Sequence, residues 1–401
     1  MTSTIGANIK RLREEREWSQ ARLARETCRA AGINGEPIGR QEISRYETGK
    51  RTPREWLPFI ATALGVPVTT LKEPQRTTEI PLPTLADFVP AEDPLSLLTV
   101  RTGRRLGIQS VNDLQQRVHG LRLADDVLAG GDLIRPALRE LRSAVRLYRE
   151  SSHTGEVGRQ LLSQIGELAQ IVGWIASDAG QRDEAERIYR LGISAARQAG
   201  DHTLAGNLAG SLAYQMSNTG REAEGLLLAQ AALREAGVNA PAKARALYLD
   251  RVAWAHTQAG EAQSAMRALG EAAEALAEDS EESEAPAYLY WVDAGELQVM
   301  ESRVYTELHR PLRAVPLLRG VLKKYDATHT REIALYLSWL AVALADANEP
   351  EEAAIVAERV IRISADVASE RTAERIKVVM ARLQDFADVP EVSSLLADNA
   401  A

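Results

Sequence analysis

The 401-residue sequence contains one cysteine, three phenylalanines and no long apolar run. A lone Cys28 cannot form an intramolecular disulfide or a thiolate metal site, which favours a reducing compartment. Strands need β-branched and aromatic side chains to fill their faces, and aromatic residues make up only 5% of this chain. No stretch approaches the roughly 18 apolar residues of a membrane span, and the N-terminus lacks the apolar core of a signal peptide. We therefore predict an all-α, cytoplasmic protein.

The motifs that identify common classes of enzyme are missing as well. There is no glycine-rich phosphate loop, HExxH, pair of CxxC motifs or nucleophile elbow. The histidines are scattered, and none is followed by another three or four residues later. We accordingly expect no catalytic site, no cofactor and no bound metal.

The net charge of −8 is distributed unevenly along the chain. Residues 1–76 contain 14 Lys and Arg against 9 Asp and Glu, whereas the remainder contains 34 against 47. Charges interact over roughly 8–10 Å in physiological salt, so a basic first part can approach a polyanion while the acidic remainder stays clear. Five prolines from Glu73 to Pro94 remove amide donors and disfavour helix. The predicted segments are a small domain at 1–72, a linker at 73–94 and a larger domain at 95–401.

The small domain is predicted to be a bundle of short helices. Ser19 is a suitable N-cap for a second helix, and Gly39 opens a third helix. Ile43 and Tyr46 of the third helix face inward, while its arginine and glutamine side chains face outward. A last helix is expected to run to Gly65. A polar, basic third helix after a turn describes a helix-turn-helix, whose second element lies in the major groove of DNA.

Three segments, "IGANIKRLREEREWSQARLA", "EISRYETGKRTP" and "LPFIATALGV", together resemble the lambda-repressor-like, XRE-type helix-turn-helix. The resemblance covers roughly residues 4–72. It implies that Gln20 contacts phosphate, that outward residues of helix three read base edges, and that Arg13 pairs with Glu47. The chain has about nine more residues between helices two and three than the family commonly uses, so we expect a wider turn there.

Each predicted DNA-binding side chain has a chemical role. Arg donates two hydrogen bonds to guanine, Gln pairs with adenine, and a carboxylate accepts from cytosine. Cations that follow the helix contact phosphates, which fixes the register of the protein on the duplex. The predicted DNA-binding residues are Gln20, Arg40, Gln41, Glu42, Ser44, Arg45, Lys50, Arg51 and Arg54.

The larger domain contains an internal repeat. A turn residue followed five positions later by a small residue recurs at Gly180, Gly220, Gly260, His309 and Asn348, in steps of 40, 40, 49 and 39 residues. Small residues after each turn allow two helices of a hairpin to approach closely, and stacked hairpins bury a face that none could bury alone. The longest step matches an acidic insert at 278–284. The units resemble degenerate tetratricopeptide repeats, clearly over 160–365 and weakly over 110–150.

Superimposing the units on their turns predicts which side chains line an inner, concave face. One position of the first helices reads Trp174, Tyr214, Trp254 and Arg303, and nearby positions carry amide, hydroxyl and carboxylate groups. Such a stripe fits an extended peptide, whose backbone the amides would clamp. The alternative is that the rings pack between neighbouring hairpins. The predicted groove residues are Gln170, Trp174, Ser177, Asp178, Asn207, Tyr214, Asn218, Asp250, Trp254, Gln258 and Arg303.

A helix-turn-helix head followed by a helical-repeat domain is similar to the peptide-sensing quorum regulators of Gram-positive bacteria. The resemblance implies a transcription regulator that binds a double-stranded DNA operator as a homodimer, under the control of a peptide or small-molecule ligand. The alternative is an interaction scaffold whose repeats bind a partner protein and whose DNA binding is secondary.

Overall fold

The computed structural model describes residues 4–16, 18–33, 35, 37–72, 82–89, 95, 105–280, 285–323, 330–365 and 369–399. The chain divides into two compact units, Met1–Pro81 and Leu82–Ala401. The described residues of both units form nineteen α-helices and no β-strand, which confirms the predicted all-α class. None of the described helices is long and apolar enough to cross a bilayer.

The described part of the first unit consists of five short helices. They are α1 (Thr4–Glu15), α2 (Gln20–Ala30), α3 (Arg40–Glu47), α4 (Leu57–Ala63) and α5 (Val68–Lys72). Ser19 caps α2 by accepting a hydrogen bond from the Arg22 amide, as predicted. The helix expected to run to Gly65 is α4, which ends at Ala63. It is not the last helix of the unit as predicted, because Gly65, with a φ of +60°, turns the chain into α5.

The core of the first unit forms where its helices meet. Ile9, Leu23, Ile43 and Ile60 come from α1, α2, α3 and α4, and all four are fully buried. Gly6 lies against the C-terminal end of α3, where an added Cβ would come within 2.9 Å of the Glu47 carbonyl oxygen. The end of α3 therefore rests directly on α1, and this contact sets the direction of the third helix.

The described part of the second unit is a row of seven helix pairs. The pairs are α6 (Ile108–Val127) with α7 (Gly130–Glu150), α8 (Gly155–Asp178) with α9 (Arg182–Ala199), α10 (His202–Ser217) with α11 (Glu222–Ala236), α12 (Ala242–Gln258) with α13 (Ala262–Ala277), α14 (Ala294–Glu307) with α15 (Pro311–Leu322), α16 (Thr330–Asp346) with α17 (Pro350–Ser364), and α18 (Glu370–Leu383) with α19 (Pro390–Asp398). A single apolar core runs through the row.

The turn positions found in the sequence are where the chain reverses within five of these pairs. All have a positive φ: +75° at Gly180, +79° at Gly220, +76° at Gly260, +52° at His309 and +62° at Asn348. Glycine adopts this left-handed conformation without a steric penalty. His309 and Asn348 adopt it too, but their Cβ atoms make it less favourable. The sequence spacing located these hairpins correctly.

Small side chains let the helices of the second unit approach closely, as predicted. A Cβ added at Gly192 of α9 would lie 2.6 Å from Leu208 Cδ2 and 2.8 Å from Ala169 Cβ. A Cβ added at Gly173 of α8 would lie 2.6 Å from the ring of Tyr189. These distances are too short for real contacts, so glycine is needed at both positions.

Residues 82–89, which the sequence analysis placed in the linker, pack against the second unit instead. The 3-10 turn Leu85–Phe88 buries Leu85 to 1% exposure. Arg234 donates to the Pro83 carbonyl oxygen at 2.7 Å, and Arg190 donates to that of Phe88. Other parts of the predicted linker (73–81 and 90–94) and residues 281–284 of the acidic insert lie outside the described residues.

Candidate functional site

The first and last parts of the second unit are in contact, so the row of helix pairs closes on itself. Arg331 of α16 donates to the Asp125 carbonyl oxygen of α6 at 2.9 Å and to its carboxylate at 3.2 Å. Ser369, the N-cap of α18, donates to Asp178 Oδ1 at 2.9 Å. The Gly130 amide of α7 donates to Asp178 Oδ2, also at 2.9 Å. These bonds join α6, α7 and α8 to α16 and α18.

The closed row surrounds a cavity of about 840 Å³. Its wall comes mainly from the first helix of each pair, namely α6, α8, α10, α12, α14, α16 and α18. The volume lies within the range of about 300–1,000 Å³ that is usual for small-molecule pockets. Aromatic rings, guanidinium groups, carboxylates and side-chain amides all contribute to the lining.

Four aromatic rings form a continuous row along the cavity wall. The ring centroids of Trp174 and Tyr214 are 6.1 Å apart, and those of Tyr214 and Trp254 are 6.0 Å apart. Trp339 continues the row edge-on to Trp254 at 5.8 Å. The Trp254 indole also donates to Asn218 Oδ1 at 3.2 Å, which fixes its orientation. These spacings are favourable for aromatic pairs.

Four guanidinium groups lie against this aromatic row. Arg303 is 4.5 Å from the Trp254 centroid and 5.2 Å from that of Trp339. Arg375 lies 3.5 Å from the Trp339 centroid and Arg371 lies 4.7 Å from that of Trp174. Arg251 lies 4.7 Å from the centroid of Tyr214, the remaining ring of the row. Each distance is within the reach of a cation–π interaction.

The guanidinium groups around Tyr214, in the middle of the aromatic row, change the pKa of its hydroxyl. Burial would raise the pKa of Tyr214, yet the guanidinium groups of Arg303, Arg371 and Arg251 lower it to about 8. Burial instead raises the pKa of Tyr189, a fully buried tyrosine of the same unit. The pKa of Arg375 falls to about 10, because burial and the charge of Arg303 both disfavour its protonated form.

Most of the predicted groove residues line this cavity. Those in its wall are Gln170, Trp174, Ser177, Asn207, Tyr214, Asn218, Trp254, Gln258 and Arg303. The prediction that Asp178 and Asp250 lie on the inner face is wrong. Asp178 has no exposed surface because Gly130 and Ser369 cover its carboxylate, and Asp250 is 2% exposed and faces the interior beside Arg251.

The register position of Asp250 explains its burial. The equivalent residues of α10 and α14 are Gly210, which approaches Arg251 and Tyr248, and the fully buried Val299. This position therefore faces the neighbouring pair in these helices and lines the cavity only at Gln170 of α8. Burial raises the pKa of Asp250 to about 6, although Arg251 at 3.7 Å opposes this shift.

In the first unit, α3 presents a polar face outward. Ile43 and Tyr46 are buried as predicted, and Arg40, Gln41 and Arg45 are exposed. The remaining predicted residues of this helix, Glu42 and Ser44, are half-buried. The cations Lys50, Arg51 and Arg54, which follow the helix, are also exposed. The turn before α3 spans 31–39, which confirms the wide turn expected there.

A buried ion pair ties α3 to α1. Arg13 Nε donates to Glu47 Oε1 at 2.6 Å, and Arg13 Nη2 donates to Glu47 Oε2 at 3.1 Å. Gln20 at the start of α2 also donates to Glu47 Oε2, at 2.7 Å. The hydrogen bond that Arg13 donates to Glu47 raises the pKa of Arg13. The pair expected between Arg13 and Glu47 is confirmed, and three helices meet at one carboxylate.

Comparison with known proteins identifies the first unit. Residues 4–73 match a family model described as a helix-turn-helix domain. The first unit is a helix-turn-helix domain. Comparison with curated protein sequences gave no match.

Two solved structures are similar to larger parts of the chain. BtubC (BKLC) from P. vanneervenii has 18% sequence identity and a TM-score of 0.41, over 59% of this chain and 91% of that chain. PlcR from Bacillus thuringiensis, in a complex with the peptide PapR7 and DNA, has 13% identity and a TM-score of 0.33, over 90% of this chain and 99% of that chain.

Within the helix-turn-helix domain, Glu42 holds two cations of the outer face. Its Oε1 accepts from Arg45 at 2.6 Å and its Oε2 accepts from Arg51 at 2.8 Å. The sequence suggested Glu42 as an acceptor for cytosine, although its charge is unfavourable near phosphate, and did not predict these two bonds. The spacing of Glu42 and Arg45, three residues apart on one helix, was the available signal for the first bond.

Sequence reasoning missed much of the cavity wall, including one ring of the aromatic row and three of the guanidinium groups that lie against it. Arg251 lies three residues before Trp254, so helical spacing already placed it on the same face. Trp339 lies three residues before the position equivalent to Arg303, in the repeat whose turn residue is Asn348. Arg371 and Arg375 belong to α18, which follows the last recognised repeat, and no sequence register could relate them to the cavity.

Proposed function

We propose that this chain is a sequence-specific transcription regulator whose helical-repeat unit binds a ligand in its cavity. One observation carries the proposal: a helix-turn-helix domain with a polar third helix and exposed cations after it shares a chain with a separate unit that encloses an 840 Å³ cavity. The first feature supports DNA binding, and the second supports regulation by a peptide or small molecule.

DNA recognition is assigned to the exposed face of α3. Arg40, Gln41 and Arg45 are the proposed base readers, each contributing about 1–3 kcal/mol of discrimination when it pairs bidentately with a base. Lys50 and Arg51 are proposed phosphate contacts, which make the affinity fall as salt rises. Gln20, which is hydrogen-bonded to Glu47 at the start of α2, and Arg54 are further proposed phosphate contacts. Glu42 is proposed to face the base edges, and Ser44 lies on the same outer face of α3.

Regulation is proposed to act through the spacing of two helix-turn-helix domains in a homodimer. Two such domains bind half-sites roughly 34–36 Å apart, or a multiple of that distance. A ligand changes DNA affinity only if it binds the competent and incompetent arrangements with different affinities. The cavity wall includes α8 near one end of the repeat row and α18 at the other. A ligand that contacts both helices would favour one arrangement of the two ends.

Fluorescence anisotropy with the intact protein tests the DNA-binding part. The probe is a labelled duplex of the DNA upstream of its own gene, compared with a scrambled duplex across a salt series. We expect specific binding that is steep in salt and is weakened by Arg40→Ala and by Arg45→Ala. Arg319→Ala, an exposed arginine of the repeat unit, is the matched control. Equal binding to both duplexes would exclude the sequence-specific regulator and favour the alternative, an interaction scaffold whose repeats bind a partner protein.

The ligand part is tested by analysing the protein purified from its host. Native mass spectrometry is expected to detect a peptide or small molecule that remains bound to the intact chain. Trp174→Ala, which shortens the aromatic row at its end, should release it while helicity is retained. Loss of helicity in this variant would show that the ring is a packing residue, as the alternative interpretation of the stripe states.

A further inference from the structure

The four guanidinium groups that lie against the aromatic row are brought together from three different helices. Arg251 is on α12, Arg303 on α14, and Arg371 and Arg375 on α18. All four lie within cation–π distance of one row of rings. Like charges held this close oppose one another: Arg303 acts with burial to lower the pKa of both Arg375 and Arg251. The cluster is therefore unfavourable unless an anion compensates it.

The protein's own carboxylates compensate the cluster only loosely. Asp250 is 3.7 Å from Arg251, Glu307 is 4.0 Å from Arg375, and Asp178 is 4.0 Å from Arg371. These distances exceed those of a hydrogen bond. Glu296 also acts on Arg251 and Arg303: its charge opposes the lowering of the Arg251 pKa by burial, and with Tyr214 and Asp250 it contributes to the raised pKa of Arg303. It also accepts a hydrogen bond from Tyr336 at 3.0 Å.

Other carboxylates of the wall are engaged elsewhere. Asp125 and Glu332 accept from Arg331, and Glu374 accepts from Arg182. Within the described residues, Nε of Arg303 and Nη2 of Arg375 are buried and have no hydrogen-bond acceptor. Buried guanidinium donors are normally satisfied, so these atoms mark a place where an acceptor is missing.

The pKa values of buried tyrosines in this unit also show an excess of positive charge near the aromatic row. Tyr189 and Tyr248 are fully buried, and burial raises the pKa of each. Tyr214 lies among the guanidinium groups and accepts a hydrogen bond from Arg303 at 2.5 Å. Its pKa is lowered to about 8, against the effect of burial. The middle of the aromatic row is thus the part of the cavity that favours a negative charge.

We propose that the cavity binds an organic anion, whose flat or apolar body lies along the aromatic row and whose carboxylate or similar group is held by Arg303, Arg371 and Arg375. The proposal rests on the proposed function only in taking the cavity as the ligand site. Guanidinium groups bind carboxylates through paired, charge-assisted hydrogen bonds, and aromatic faces accept planar groups. A small aromatic acid and a short peptide with a free C-terminal carboxylate share this chemistry.

A pair of fluorescent probes with the same rings tests the charge requirement on the intact protein. 1-Anilinonaphthalene-8-sulfonate is anionic, and N-phenyl-1-naphthylamine is its neutral counterpart. We expect the anionic probe to bind about tenfold or more tightly than the neutral one, since a charged hydrogen bond is worth about that factor or more. Equal affinities would overturn the proposal, and this comparison requires no substitution that might disturb folding.

Substitutions then locate the anion. Arg303→Gln and Arg375→Gln should each weaken binding of the anionic probe by about tenfold and leave the neutral probe unchanged. The control is Arg319→Gln, which removes an arginine paired with Glu352 at the surface. Circular dichroism verifies folding of every variant. Equal weakening of both probes by a folded variant would show that the arginines only shape the cavity.

Competition for the anionic probe distinguishes the two sources of the carboxylate. One arm compares indole-3-acetate with indole-3-acetamide, and the other compares N-acetyl-Leu-Phe with its C-terminal amide. Displacement by an acid and not by its amide supports the proposal and identifies the source. Displacement by acids and amides alike contradicts it. DNA binding is measured in parallel, so that a failure of the regulator proposal is seen separately from a failure of anion binding.

Discussion

Asp178 provides the most direct test of how the helical-repeat unit is held closed. Its carboxylate has no exposed surface and accepts hydrogen bonds from the Gly130 amide and the Ser369 hydroxyl. Arg331 lies 3.5 Å from it and Arg371 lies 4.0 Å from it. Asp178→Asn keeps the shape of the side chain and removes its charge. We expect α18 to separate more often from α8.

The size of this effect follows from what each partner retains. Removing one member of a buried ion pair costs about 3–5 kcal/mol. Arg331 keeps Asp125 at 3.2 Å, so we expect a smaller cost of about 2–3 kcal/mol for the charge and one weakened hydrogen bond. Asp178→Ala should cost about 1–3 kcal/mol more, because the buried Gly130 amide loses its acceptor altogether.

Hydrogen exchange followed by mass spectrometry measures this local opening. A cost of about 2–3 kcal/mol corresponds to roughly 30- to 150-fold faster exchange in α18 if opening exposes it. Exchange in α12, which lies away from the closure, should change little. Glu352→Gln removes a half-exposed carboxylate paired with Arg319 and is the matched control. Unchanged exchange in α18 of Asp178→Asn would show that this carboxylate does not hold the two ends together.

Three further outcomes are expected. Glu47→Ala leaves Arg13 buried without its partner and should destabilise the helix-turn-helix domain by about 3–5 kcal/mol, measured as an earlier urea transition of that domain; an unchanged transition would contradict the role of the pair. A tyrosine ionising at a pH of about 8, followed by absorbance at 295 nm, should be absent in Tyr214→Phe and shift upward in Arg303→Gln. Because the folded pKa of Tyr214 is depressed, its contribution to stability is absent below pH 8 and grows as the pH rises toward 10. Glu42→Gln should release Arg51, a proposed phosphate contact, and steepen the salt dependence of DNA binding; an unchanged slope would show that Arg51 does not contact phosphate.

The helix-turn-helix domain was largely predictable from local sequence. Ile43 and Tyr46 have the helical spacing of a buried face, and Ser19 has the chemistry of an N-cap. The hydrogen bonds that Glu42 accepts from Arg45 and Arg51 were not predicted. The bond from Arg51 depends on how the chain after α3 folds back, which local sequence does not show. The short helix α5 after Gly65 was also missed, since five residues are too few to show helical periodicity.

The groove residues were predicted from the register of the repeats. The prediction is correct where register alone decides the direction of a side chain. Trp174, Tyr214 and Trp254 occupy equivalent positions and form one row. Asp178 occupies the same position as Asn218, yet it is covered by elements far away in the chain. A superposition of repeats treats every unit as equivalent, and that assumption does not hold where the two ends of the row meet.

By itself, the sequence determined the all-α class, five of the seven described hairpins with their turn residues, and the helix-turn-helix domain. These features depend on residues within one or two helical turns of each other, so periodicity and turn chemistry are sufficient to specify them. Only the tertiary structure decided that the row closes, that Asp178 is buried at the closure, and that Arg371 and Arg375 reach the rings of other repeats. Closure depends on small rotations added from each helix pair to the next. Those rotations arise from packing across the whole row, and no local stretch of sequence contains them.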